Sequence, residues 1–81
     1  MTNLERLREC FRRALGGAAA ERLEQLSYGA VPAWDSVTHI ALVAELEAAF
    51  AVELTPEEIV AITDYAQVRE ALGRHGVRFD E

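Results

Sequence analysis

The sequence predicts an all-α protein, a four-helix bundle with a short third helix that forms a single domain over residues 1–81. Apolar residues recur at intervals of three and four in several segments, and no segment shows the alternation of a strand. Helix-start signals precede these segments. A chain of 81 residues also suits one small core.

The first helix is predicted to end at Gly16-Gly17, because glycine terminates helices readily. The stretch from Ala18 to Leu26 has helix-forming composition, enough for a turn or two. The segment from Ser27 to Pro32 is rich in turn-forming residues and is predicted to be a loop. The apolar side of the first helix consists of Leu4, Leu7, Phe11, Ala14 and Leu15.

The second helix is predicted from about Ser36 to Phe50 or Ala51, and it has two apolar sides. Large side chains are expected to face the core, and small side chains are expected to form a surface that another backbone approaches closely. Because alanine is the best helix former, propensity alone is the alternative explanation for the small side. The core side is His39, Ile40, Val43, Leu46 and Phe50, and the small side is Val37, Ala41, Ala44 and Ala48.

The segment from Thr55 to Glu58 predicts the start of the third helix. It combines a capping box with proline at the first helical position. Asp64 offers a new cap soon afterwards, so the third helix is expected to be short. The fourth helix is predicted from Tyr65 to Leu72, ending at Gly73, and residues 76–81 are expected to form a loose tail.

Charge is distributed unevenly along the chain, whose net charge is -6. From Leu23 to Val68 there are eight acids and no lysine or arginine. The negative electrostatic field of this segment argues against nucleic acid and anionic membranes as partners, and it favours proteins with basic patches. A solvated face kept for solubility is the alternative. The acids are Glu24, Asp35, Glu45, Glu47, Glu53, Glu57, Glu58 and Asp64.

Composition indicates a soluble cytoplasmic protein, and we expect it to be a monomer. A single cysteine, Cys10, excludes an internal disulfide framework and fits a reducing compartment. No apolar run is long enough for a membrane span, and the residues from Met1 to Leu4 do not open a signal peptide. Cys10, His39 and His75 lack zinc-ligand spacing, and the acids lack calcium-loop order, so no metal site is expected.

The pair Asp35-Ser36 stands where a polar loop ends and the second helix begins. A serine on the first turn has its hydroxyl at the positive end of the helix dipole, which favours a phosphate ester. The alternative is that Asp35 or Ser36 is simply an N-cap. Ser36 and His39 also suggest a minimal hydrolase, but no orienting third group or oxyanion hole is in view. We therefore expect a protein that is modified rather than an enzyme.

From Trp34 to Leu72 the sequence resembles the acyl and peptidyl carrier proteins. Members of that family open their second helix with Asp-Ser-Leu, and the segment from Asp35 to Val37 matches this motif with one conservative departure. The match continues without a gap. The further matching positions are Leu42-Val43, Leu46-Glu47, Phe50, Glu53-Leu54, Pro56-Glu57-Glu58 and Ile62-Thr63.

The resemblance implies a carrier-type bundle and a 4'-phosphopantetheine arm on Ser36. A phosphopantetheinyl transferase would transfer the arm from coenzyme A with magnesium, and Asp35 would help to position that metal. The thiol of the arm would hold acyl or aminoacyl groups for loading and downstream pathway enzymes. Those enzymes are expected to dock on Val37, Ala41, Ala44, Glu45, Glu47 and Ala48.

Trp34 bears on the subtype of carrier. Fatty-acid carriers usually have a small residue before the motif, so Trp34 looks more like stand-alone carriers of polyketide, nonribosomal peptide or other dedicated pathways. Anchoring of the loop to the core is the alternative role for Trp34, and His39 is expected at the edge of the core, hydrogen-bonded to the loop. The alternative function is an unmodified acidic helical adaptor that binds a basic partner.

Overall fold

The computed structural model describes residues 2–16, 23–30 and 32–79. Within these ranges there are four α-helices and no strand: α1 (Asn3–Leu15), α2 (Ser36–Phe50), α3 (Pro56–Ala61) and α4 (Tyr65–Arg74). The predicted all-α class and short third helix are confirmed. None of the helices in the described part of the chain is long and apolar enough to cross a membrane.

α1 begins with a capping box that the sequence prediction did not include. The Thr2 side chain accepts the N–H of Glu5, and the Glu5 side chain accepts the N–H of Thr2. The helix ends, as predicted, at Gly16, whose φ of 102° favours glycine. Of the predicted turn or two over 18–26, residues 23–25 form one turn of 3₁₀ helix, and residues 17–22 lie outside the described ranges.

The core lies mainly between α1 and α2. Phe11 of α1 is fully buried and meets the ring of Trp34 edge to face, with ring centroids 5.5 Å apart. Trp34 comes from the loop before α2 and is also fully buried, so this loop is fastened to the core. The other buried side chains are Leu7, Cys10, Leu15, Leu23, Leu26, Leu42, Val43, Leu46, Leu54, Ile62, Tyr65, Val68, Ala71 and Leu72.

The predicted core side of α2 was wrong at one position. Ile40 is 70 % exposed, whereas Leu42, which the prediction left out, is fully buried. Ile40 follows Val37 by three residues and Ser36 by four, so the helical repeat puts it on their exposed side. The side of α2 that meets the core consists of His39, Leu42, Val43, Leu46 and Phe50.

α4 continues to Arg74 rather than ending at Gly73. Glycine in a helix costs only about 1 kcal/mol relative to alanine, which does not end a helix whose Leu72 is fully buried. The chain turns instead at Gly76, where φ is 88°. The end of α4 is therefore set by packing and by the second glycine.

Part of the segment expected to be a loose tail packs against the core. Val77 and Phe79 are half-buried there, and the Phe79 ring lies 6.1 Å from the ring of Phe50. Residues 80 and 81 lie outside the described ranges. The apolar character of Val77 and Phe79 explains why the chain stays on the surface of the core after α4.

α3 differs from the other helices because none of its residues is buried. It starts as predicted, with Pro56 as its first residue and a capping box between Thr55 and Glu58. Ile59 is half-buried, and Val60 is 76 % exposed. This helix is therefore held at the edge of the core with little apolar burial.

Candidate functional site

The start of α2 is built by Asp35 and Thr38. The Asp35 carboxylate accepts the N–H groups of Val37 at 3.0 Å and Thr38 at 2.9 Å. The Thr38 hydroxyl accepts the N–H of Asp35 and donates to the carbonyl oxygen of Ala33 at 2.7 Å. The bonds to the Asp35 carboxylate, first that from the Thr38 N–H, lower the pKa of Asp35. Asp35 is therefore the N-cap, ionised at neutral pH.

Ser36 is the first residue of α2 and is exposed. Its hydroxyl makes no hydrogen bond to another group in the described ranges. Because Asp35 already provides the cap, the hydroxyl is free for another role at the positive end of the helix dipole.

An apolar cleft of about 350 Å³ opens beside Ser36, between the start of α2 and α3. A wider cleft of about 650 Å³ lies along α4 near Arg69 and Phe79, and it shares no lining residue with the first. Only the first contains a candidate modification site. Its lining consists of Tyr28, Ser36, His39, Ile40, Ile59, Val60 and Thr63.

A row of apolar side chains lies on the surface and starts next to Ser36. Val37 is 74 % exposed, close to the values for Ile40 and Val60, and the predicted small side of α2 is exposed along its length. Uncovered apolar side chains that lie together are typical of a surface that binds another protein. We call this row the exposed apolar stripe; it comprises Val37, Ile40, Ala41, Ala44, Ala48 and Val60.

Many of the eight acids between Leu23 and Val68 have hydrogen-bond or ion-pair partners within the chain. The Glu45 carboxylate lies 3.7 Å from the guanidinium of Arg13, and the Glu47 carboxylate accepts the N–H of Leu54 at 2.9 Å. Several of these acids therefore stabilise the fold, whatever they contribute to binding. Asp35, Glu58 and Asp64 take part in helix caps, and Glu24, Glu53 and Glu57 are exposed.

Glu58 connects α3 to the end of α4. Its carboxylate accepts the N–H of Thr55, and both carboxylate oxygens lie 3.0 Å from Nε2 of His75. The Thr55 N–H and, next, His75 lower the pKa of Glu58 below 4.5. Since the folded-state pKa is the lower one, the bonds accepted by the ionised Glu58 carboxylate stabilise the fold above about pH 4.5, and this contribution is lost on further acidification.

His39 links three parts of the chain. The Nε1–H of Trp34 donates to Nδ1 of His39 at 2.9 Å, and Nε2 lies 2.8 Å from the carbonyl oxygen of Ile59. The predicted hydrogen bond between His39 and the loop is confirmed. Because both ring nitrogens are engaged, neither is free to act as a base toward Ser36. The burial of Trp34 supports its alternative role as the loop anchor.

Cys10 is a buried thiol whose Sγ–H donates to the carbonyl oxygen of Glu45 at 3.5 Å. Burial, and next the nearby Glu45 charge, raise its pKa to about 11. Because the thiolate is the reactive form, Cys10 is unreactive at neutral pH. Among the described residues no group of three or more His, Cys, Asp or Glu side chains could hold a metal ion.

Sequence reasoning missed Ile40 and Val60 as surface residues beside Ser36. A signal existed for Ile40, since a residue four positions after Ser36 shares its side of a helix. For Val60 the signal was weaker: Ile59 and Val60 are neighbours in a short helix, and both cannot point to the core. No local signal connected His39 to the carbonyl of Ile59.

No family model, no curated protein and no solved structure matches this chain. Its function is therefore inferred from the residues around Ser36 and from their geometry. The relevant features are a capped helix start, an exposed serine hydroxyl, an apolar cleft and the exposed apolar stripe.

Proposed function

We propose that this chain is an acyl carrier protein, which carries acyl or aminoacyl groups as thioesters on a 4'-phosphopantetheine arm attached to Ser36. The observation that carries this proposal is the exposed Ser36 hydroxyl, which has no partner in the described ranges and follows the Asp35 cap at the start of α2. A phosphodiester there would lie at the positive end of the helix dipole. The carrier motif and the order of four helices with a short α3 support the same function.

Each residue at this helix start would have a distinct role. The Ser36 oxygen would form the phosphodiester, and the arm, when attached, supplies the thiol that holds the cargo. The ionised Asp35 carboxylate would help to hold magnesium in the transferase complex. The apolar walls contributed by Ile40 and Val60 would exclude water from one side of the serine. Chemistry on the cargo would belong to partner enzymes.

Partner enzymes would dock on the exposed apolar stripe. Val37 and Ile40 are adjacent to Ser36, so a partner that covers them would also reach the arm. Glu45 and Glu47 would contribute charge at the margins of α2, in spite of their contacts within the chain. We propose a cytoplasmic monomer that serves a dedicated polyketide, nonribosomal peptide or similar pathway, with the transferase, loading and downstream enzymes as its partners.

The test is intact-mass spectrometry after incubation with coenzyme A and a broad-specificity phosphopantetheinyl transferase. Wild type and Ser27→Ala are expected to gain one phosphopantetheinyl group, and Ser36→Ala none. Ser27 is the matched control because these are the two serines of the chain. Because Asp35 supplies the cap and Ser36 is exposed, Ser36→Ala should change the free energy of unfolding by no more than about 0.5 kcal/mol and remain folded. Absence of modification with several transferases would refute the proposal and favour the unmodified acidic adaptor. Modification at a residue other than Ser36 would also refute the proposal.

A further inference from the structure

Both ring nitrogens of His39 have a hydrogen-bond partner, and one partner is a donor whereas the other is an acceptor. Trp34 Nε1–H lies 2.9 Å from Nδ1, and the Ile59 carbonyl oxygen lies 2.8 Å from Nε2. An indole N–H can only donate, and a carbonyl oxygen can only accept. His39 must therefore accept on Nδ1 and donate from Nε2–H. These two bonds select the neutral ring and one of its two tautomers.

This ring joins α3 to the best-anchored part of the core. Trp34 is fully buried and packs on Phe11 of α1, whereas α3 has no buried residue. Ile59 lies in the last turn of α3, where carbonyl groups lack partners within the helix. The N–H of Thr63, which would continue the helix, bonds to Ala61 instead. His39 thus supplies the donor for a carbonyl that the end of α3 leaves unpaired.

We propose that His39 is a proton-sensitive clasp that holds α3 against the start of α2. A proton on Nδ1 would set its N–H against the N–H of Trp34, and two donors cannot bond to each other. The His39 ring must then move away from the Trp34 indole. In its new place the ring no longer donates to the Ile59 carbonyl oxygen. α3 loosens as a consequence, and the cleft beside Ser36 widens because Ile59 and Val60 form its α3 wall.

The His39 ring is stacked on the Trp34 ring, with ring centroids 6.1 Å apart. From the loop, the Tyr28 ring meets the His39 ring at 5.2 Å, and from α2 the Asp35 carboxylate is occupied by the helix start. From α3, Glu58 is bonded to Thr55 and His75, and Glu57 is exposed. None of these carboxylates forms a hydrogen bond or an ion pair with the His39 side chain in the described ranges.

The sign of the pH response is set by this geometry. The unfolded chain and the loosened state accept the proton freely, whereas the clasped state must lose a hydrogen bond to accept it. Acidification therefore favours the loosened state. The clasp belongs to the unmodified chain, so it does not depend on the carrier function.

Trp34 is the single tryptophan of the chain, and its fluorescence reports directly on the clasp. Between about pH 8 and about pH 5, the range in which histidine changes charge, the emission of wild type should change. Over the same range the hydrogen-exchange protection of α3 amides should fall roughly tenfold, as expected for loss of one or two hydrogen bonds, while α1 amides keep theirs. Nitrogen-15 NMR at the upper pH should show the Nε2–H tautomer.

His39→Gln is the deciding variant and His75→Gln its matched control. Glutamine keeps a donor and an acceptor but does not titrate in this range. The pH-dependent changes in Trp34 emission and in the hydrogen-exchange protection of α3 should vanish in His39→Gln. They should persist in His75→Gln, although His75 also contacts α3 through Glu58. A response that survives in His39→Gln, or that disappears in His75→Gln, would overturn the proposal. Should His39→Gln fail to fold, an Nδ1–H tautomer in wild type would overturn it by itself.

Discussion

α1 and α3 are attached to the same core by different forces. α1 buries Leu7, Phe11 and Leu15, whereas α3 has no buried residue and is held by hydrogen bonds of the Ile59 carbonyl and the Glu58 carboxylate. Apolar burial is shared by many neighbours and is lost only when the core opens. Separate hydrogen bonds at an edge can break while the core stays folded. α3 is therefore the element most able to move without global unfolding.

Both helices nevertheless start in the same way. Thr2 with Glu5 and Thr55 with Glu58 form equivalent capping boxes. Local sequence therefore does not distinguish the two helices at their starts. They differ in length, 13 residues against six, and in burial. We therefore expect the length and burial of a helix to decide the effect of losing its N-cap. The loss lowers either the global free energy of unfolding or only the stability of that helix.

The largest effect is expected from Phe11→Ala in α1. Phe11 is fully buried and contacts the rings of Trp34 and Tyr65. Replacing a buried phenylalanine by alanine typically costs about 3–5 kcal/mol. A small domain has only about 5–15 kcal/mol in total, so the variant should be near the limit of folding. Urea denaturation followed by circular dichroism measures the loss.

Arg8→Ala is the control for this change, since Arg8 is exposed on the same helix. Its effect on the free energy of unfolding should stay within about 0.5 kcal/mol. If Phe11→Ala had an equally small effect, α1 would not be the apolar anchor of the fold, and the contrast with α3 would fail.

A smaller effect is expected from Thr55→Ala, with Thr2→Ala as its matched partner. Loss of an N-cap typically costs about 1 kcal/mol. In α1 the loss should lower the global free energy of unfolding, because α1 opens only with the core. In α3 it should instead raise the hydrogen-exchange rate of local amides about fivefold, with little change in global stability. Equal losses of global stability in the two variants would mean that α3 unfolds together with the core.

The smallest effect on stability is expected from Ala44→Arg on the exposed apolar stripe. Ala44 is exposed, so the free energy of unfolding should change by no more than about 0.5 kcal/mol. Under the proposed function, a long charged side chain there would keep a partner backbone away and cut acyl transfer. Ala66→Arg, at an exposed position of α4, is the control and should leave transfer unchanged. If Ala44→Arg supported acyl transfer as well as Ala66→Arg does, the exposed apolar stripe would have no docking role.

Most helix starts could be predicted from the sequence. The ends of the helices and their buried sides were predicted less well. The cap at Thr55 and the cap at Asp64 were recognised from side chains within three residues, because capping is a local interaction. The end of α4 was missed because Gly73 is tolerated once Leu72 is buried. In the candidate site, Asp35 and Ser36 were placed correctly at the start of α2 for the same local reason.

The sequence by itself determined that the chain is helical, where most of its helices begin, and that Ser36 follows a cap. Only the tertiary structure decided which side of α2 is buried. Ile40 and Leu42 are both large and apolar. The spacing of Ile40 from Ser36 shows that they share a side of the helix, but packing against α1 decides that this side is exposed and that Leu42 is buried. It also decided the bond from His39 to the Ile59 carbonyl, 20 residues away along the chain. Such a bond depends on how α3 returns to α2, which no local pattern encodes.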